Sequence, residues 1–168
     1  MKLINEEKKG RLDQLYATKL SRAKFYWYHV LLASLLGVLG QFAAIFGLYS
    51  AQLSVMETPF SLWEITRAGI VWLPAVLFFI GILSVLIGWL PRLTVIIWGY
   101  LVFAFFVSYF GQMMTIPEFV VNLNVFSYIP KVPTEEWNWG SLIVILLMAL
   151  FMFFIGFIGY KKRDLVTE

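Results

Sequence analysis

Few residues in this chain of 168 are equipped for chemistry, and their spacing organises none of them into a reaction centre. His29 is the single histidine, so a multi-histidine metal site is excluded. Cysteine is absent, which removes disulfides, thiolate nucleophiles and cysteine-bound metals. The sequence holds no H-E-x-x-H, no G-x-S-x-G and no phosphate-binding G-x-x-x-x-G-K-S/T. No Asp or Glu falls deep in a long apolar run, where it would mark a proton-coupled pump. His29 lies near the start of such a run with no acidic neighbour, as an interface residue would. Gln41 and Gln112 leave two readings open: a hydrogen bond to a neighbouring helix, or contact with a substrate. Glu64 and Arg67, three apart, suit an ion pair at a helix start. Phe103, Phe105 and Phe106 read as packing or lipid-facing residues.

The surroundings explain this poverty of chemical groups. Hydrophobic residues make up 61% of the chain, aromatic ones 18% and charged ones only 14%. Soluble domains are typically about 45–50% apolar and about 25% charged. A chain of this size cannot hide the excess in one core. Composition therefore excludes an ordinary soluble domain, a disordered chain and a nucleic-acid-binding module. It points to an all-α integral membrane protein.

Residues 8–24 are polar, with Leu12, Leu15, Tyr16 and Leu20 on one helical face. They read as an amphipathic helix at the membrane surface rather than a signal peptide. Ser21 is placed to cap the next helix. A first span covers 25–51, and Gly37, Gly40, Ala44 and Gly47 form a small-residue stripe on it that suits close helix packing. A second span covers 61–90, opened by the capping-box pattern Ser61-Leu-Trp-Glu64 and kinked by Pro74. Pro91-Arg92 turns the chain into a third span over 93–113. Residues 115–133 are too broken for a span yet too apolar for a free loop. Pro117 and Glu118 open a short helix, and Pro130 and Pro133 stiffen the chain beyond it. This segment reads as re-entrant or interfacial, with Trp137 and Trp139 as interface anchors. A fourth span covers 135–160, and Lys161-Lys162-Arg163 stops it ahead of a tail over 161–168. The expected fold is thus four spans behind an amphipathic helix, with a re-entrant segment before the last span.

Charge orients this chain. With the N-terminus in the cytoplasm, the inner segments carry 11 of the 13 basic residues, leaving only Arg67 and Lys131 outside. The asymmetry places both ends in the cytoplasm of a cell membrane.

The order of elements, with a few local motifs, resembles the later part of a type-2 ABC exporter permease. Gly10-Arg-Leu-Asp-Gln-Leu-Tyr-Ala-Thr-Lys-Leu-Ser-Arg22 is similar to the G-R-x-E-x-L-x-A-T-P-V/L-S-R stretch of antibiotic-exporter permeases of the tetronasin or polyketide type. Asp13 stands for the usual Glu, and Lys19 for the usual Pro. Phe126-Ser-Tyr-Ile-Pro-Lys-Val-Pro133 resembles their F-x-H-x-P-x-x-P, with Tyr128 in place of His. Leu90-Pro-Arg92 and Lys162-Arg-Asp-Leu165 fit at the corresponding places. The resemblance covers about Gly10 to Leu165.

The resemblance implies an ATP-driven exporter of a hydrophobic or amphiphilic, antibiotic-like compound. Gly10, Arg11, Leu12, Asp13, Leu15 and Tyr16 would then form a coupling helix that docks on a separate ATPase subunit. No cofactor, metal or nucleic acid is implied, and hydrolysis would fall to the partner. Such permeases have two six-span halves, so the remaining spans are expected from a longer chain or another subunit. The rival reading is a small four-span membrane protein that binds a partner or confers immunity, with no transport of its own.

Overall fold

The computed structural model describes residues 21–111, 117–130, 132 and 138–162. The expected coupling helix over Gly10–Tyr16, Gln112, Pro133 and Trp137 lie outside the described residues. The described residues form helices and no strand.

Helix α1 spans Arg22–Val55. Ser21 Oγ accepts the Lys24 N–H at 3.3 Å, so the cap sits where the sequence places it. Its 34 residues rise about 51 Å, against a hydrocarbon thickness of about 30 Å. The capping box at Ser61 is present: Glu64 N–H donates to Ser61 Oγ at 3.3 Å and Ser61 N–H to Glu64 Oε2 at 2.8 Å. It starts α2, Leu62–Ile70, and α3 comes next over Leu73–Trp89. The break between them is due to Pro74, which has no N–H to give the Ile70 carbonyl. There the Gly69 carbonyl accepts from Trp72 N–H at 3.1 Å and from Gln41 Nε2 of α1 at 2.9 Å. A side chain at Gly69 would run into Ile45, so glycine lets α1 close on the kink. A 3-10 turn over Pro91–Leu93 leads to α4, Ile96–Phe110. A short helix α5, Glu118–Asn122, and a 3-10 turn, Val125–Tyr128, precede α6, Trp139–Lys162.

Among the described residues three stretches are long and apolar enough to cross a membrane: α1, the α2–α3 unit and α6. The fourth expected crossing is shorter. The turn over Pro91–Leu93 and the bend after it delay α4 to Ile96, leaving 15 residues that rise about 22 Å.

The closest packing joins α3 and α6. Ala75, Gly81, Ser84 and Gly88 on α3 face Ala149, Phe153 and Gly156 on α6. A Cβ on Gly156 would lie 2.6 Å from the Ser84 carbonyl oxygen, and one on Gly88 would strike the Gly156 carbonyl. The two backbones therefore touch directly. Such contact replaces the hydrophobic driving force that lipid does not supply. The stripe on α1 is divided instead. A Cβ on Gly37 would meet Val76 at 2.9 Å, whereas Gly40 and Gly47 face open space and Ala44 is exposed. The face of α1 that packs is carried by Tyr26, Val30, Gln41, Ile45 and Gln52.

Tyr26 locks α1 to this seam. It is 4% exposed, and its hydroxyl donates to the Phe153 carbonyl at 2.7 Å and lies 3.1 Å from Ser84 Oγ. Tyr26→Phe keeps the ring packing against Phe157 and Tyr160. It should cost about 1 kcal/mol, read as a lower thermal midpoint of the purified protein. Unchanged unfolding would show that the hydroxyl contributes nothing.

Candidate functional site

The segment between α4 and α6 carries irregular backbone into the helical layer. Val125 and Ile129 are buried with Val71, Ala75, Phe78, Leu142 and Ile145. Backbone at that depth needs partners for its polar groups, and side chains supply them. Tyr100 of α4 donates its hydroxyl to the Leu123 carbonyl at 3.0 Å and accepts the Val125 N–H at 3.3 Å. Ser127 Oγ donates to the Val121 carbonyl at 3.0 Å, and Tyr128 to that of Asn122 at 3.2 Å. Asn124 is the central peg, 1% exposed. Its Nδ2 donates to Ser108 Oγ at 2.9 Å and the Ala104 carbonyl at 3.3 Å, while Oδ1 accepts the Phe126 N–H at 3.1 Å. Phe126 rests between Trp72 and Phe79, its ring 5.6 Å and 5.4 Å from theirs.

The structure thus gathers part of the expected re-entrant set. Pro117 precedes α5 in an extended conformation, Glu118 is exposed in its first turn, Phe126 is wedged and Pro130 is buried. Asn124 and Tyr100 hold the segment, and no motif marks either.

Below it lies a cleft of about 410 Å³ between α3, α4 and α6. Phe78, Val144, Ile145 and Met148 line its apolar part, and Tyr100, Asn122, Tyr128 and Ser141 contribute polar groups. Among the described residues no charged one lines it. Its size suits a small molecule, since such sites measure about 300–1,000 Å³.

The other polar candidates have structural partners. Gln41 is engaged with the Gly69 carbonyl of α2. His29 Nδ1 lies 2.8 Å from the Phe25 carbonyl of its own helix. Among the described residues no group of three potential metal ligands occurs. Gln52 carries no signal in the sequence, yet it is buried and clamps the loop after α1. Its Nε2 donates to the Phe60 carbonyl at 2.8 Å and its Oε1 accepts the Phe60 N–H at 3.1 Å. Gln52→Ala should speed proteolysis between Met56 and Ser61 severalfold; cleavage at the wild-type rate would show the clamp is dispensable.

A family model described as the multidrug efflux system permease Rv1217c, C-terminal domain, matches residues 1–161. The chain belongs to this permease family. The multidrug efflux system permease protein Rv1217c of Mycobacterium tuberculosis (strain ATCC 25618 / H37Rv) is 25% identical over 166 residues. That alignment covers 98% of this chain and 30% of the relative, so the chain spans under a third of that protein's length. No solved structure matches. Membership of a permease family accords with the long apolar helices and supports a membrane protein. The family description names multidrug efflux, not the tetronasin type of the sequence resemblance.

Proposed function

We propose that the chain forms the later membrane portion of a type-2 ABC exporter permease. It moves a hydrophobic or amphiphilic drug-like compound outward. The observation that carries this reading is the match of residues 1–161 to a multidrug efflux permease family. The tetronasin-type motif at Gly10–Arg22 supports the ABC assignment. In this reading α4 makes the fourth crossing, with the bilayer thinned or the chain beside it completing the distance. Both ends are cytoplasmic, as the 11 inner basic residues favour.

The segment Gly10–Tyr16 then docks in a groove of a separate ATPase subunit. Leu12, Leu15 and Tyr16 supply apolar contacts, and Arg11 and Asp13 polar ones. ATP hydrolysis belongs to that subunit, because the sequence holds no phosphate-binding loop. Closure of the ATPase pulls on the start of α1, which Tyr26 ties to both α3 and α6. Spans from a longer chain or another subunit complete the pathway. Gly40, Ala44 and Gly47, turned away from the described helices, offer them a close-packing face.

The test is co-purification with an ABC ATPase subunit co-expressed from the same genome. Wild type should retain it, and the pair Arg11→Glu with Asp13→Lys should weaken retention about tenfold. Retention equal to wild type would remove docking from those two residues. Failure of wild type to retain any ATPase would favour the partner-binding or immunity reading.

A further inference from the structure

We propose that the cleft between α3, α4 and α6 is a binding site for an uncharged amphiphile that enters sideways from the outer half of the bilayer. The inference rests on the transport reading and adds to it a place and a ligand class.

Three observations converge on it. The first is how the cleft comes to exist. The seam of α3 and α6 is closed by direct backbone contact, whereas α4 stands off from α6 and is held largely through the outer segment, by Tyr100 and Asn124. The opening therefore lies between α4 and α6, and its roof is the Leu123–Tyr128 backbone. Among the described residues none covers the side facing the bilayer: Val144 is 55% exposed and Met148 46%.

The second observation is the gradient along the cleft. Ser141 sits at the start of α6, and Asn122 in the outer segment over it. Ser141 gives its hydroxyl to the Asn138 carbonyl, so its oxygen retains acceptor capacity. Val144, Ile145 and Met148 come one to two turns further along α6, opposite Phe78. A ligand in this cleft keeps a polar end beneath the outer segment and lays an apolar body toward the membrane interior.

The third is charge. Among the described residues no Lys, Arg, Asp, Glu or His lines the cleft, so a charged head would lose hydration and find no partner among them. A hydroxyl, ester or amide would not. Two sources share this chemistry: a neutral membrane glyceride and an exported compound.

Binding is measured on the whole chain in nanodiscs with Nile red, a neutral solvatochromic dye, as the probe. Wild type should bind it saturably with a blue shift. Val144→Trp and Met148→Trp fill the cleft from an exposed helix face and should each weaken binding about tenfold or more. Val102→Trp, on the 69% exposed face of α4, should bind as wild type does. Monoolein should displace the dye, while oleate, with the same chain and a charged head, should do so about tenfold less well. Displacement by monoolein but not by a neutral macrolide would assign the site to lipid; displacement by both would assign it to cargo as well.

Because the chain has no cysteine, Ser141→Cys supplies a second readout. Its labelling by a neutral maleimide should slow when monoolein is present. Wild-type dye affinity in both tryptophan variants, or equal displacement by oleate, overturns the proposal. None of these measurements involves ATP. A chain that binds the dye but retains no ATPase refutes the export reading alone, and the converse refutes the cleft alone.

Discussion

Gly156→Leu should be the most damaging single substitution in the described helices. A Cβ at this position already lies 2.6 Å from the Ser84 carbonyl oxygen and 2.7 Å from its hydroxyl. Backbone cannot yield as the end of a flexible side chain can, so α3 and α6 must part. That separation also opens the contact of Gly88 with the Gly156 carbonyl and pulls Ser84 from Tyr26. Overpacking a well-filled core costs about 1–3 kcal/mol, and a backbone clash at the centre of the main seam belongs at the top of that range. The expected result is a large loss of monodisperse protein and a much lower thermal midpoint. Gly99→Leu on α4 is the matched control, because a Cβ there meets none of the described residues within 4 Å. It should change stability by no more than about 0.5 kcal/mol. A folded, wild-type-like Gly156→Leu protein would show that the α3–α6 contact is not the organising seam.

Asn124→Leu should be nearly as costly, by a different mechanism. Leucine fills a similar volume but satisfies none of the three hydrogen bonds. The Phe126 N–H loses its acceptor, and Ser108 and the Ala104 carbonyl lose a donor. Orphaning a buried polar group costs about 1–3 kcal/mol, so a total of about 2–3 kcal/mol is expected, concentrated at the outer segment. Hydrogen exchange should report it as faster exchange at Leu123–Phe126, with the α3–α6 seam still protected. Equal protection in variant and wild type would show that Tyr100 and Phe126 hold the segment without Asn124.

These two positions also mark what the sequence left unread. Local signals carried through: Ser21 and Ser61 cap helices because a cap is written in three or four adjacent residues. Pro74 breaks its helix because the missing N–H is a property of that residue alone. Partner choice was less legible. Every long apolar helix here carries small residues at helical spacing, and nothing local says which two sets meet. The α1 stripe is as regular as the set on α3 and α6, yet of its members only Gly37 packs on another described helix. Asn124 and Gln52 are single polar residues without a pattern, and their importance arises only when a distant backbone group comes within reach. The shortness of α4 stems from turn geometry after Pro91, which an apolar run extending to Leu93 conceals.

The proposal that this chain is part of an ATP-driven exporter is tested most directly by transport. Inside-out vesicles are prepared from cells that carry the gene and from cells in which it is deleted. Uptake of a neutral fluorescent amphiphile is followed with and without ATP, under a collapsed proton gradient. ATP-dependent uptake should appear with the wild-type gene, disappear on deletion, and fall sharply with Arg11→Glu and Asp13→Lys together. Uptake that is indifferent to ATP, or identical in wild-type and deleted vesicles, would contradict it.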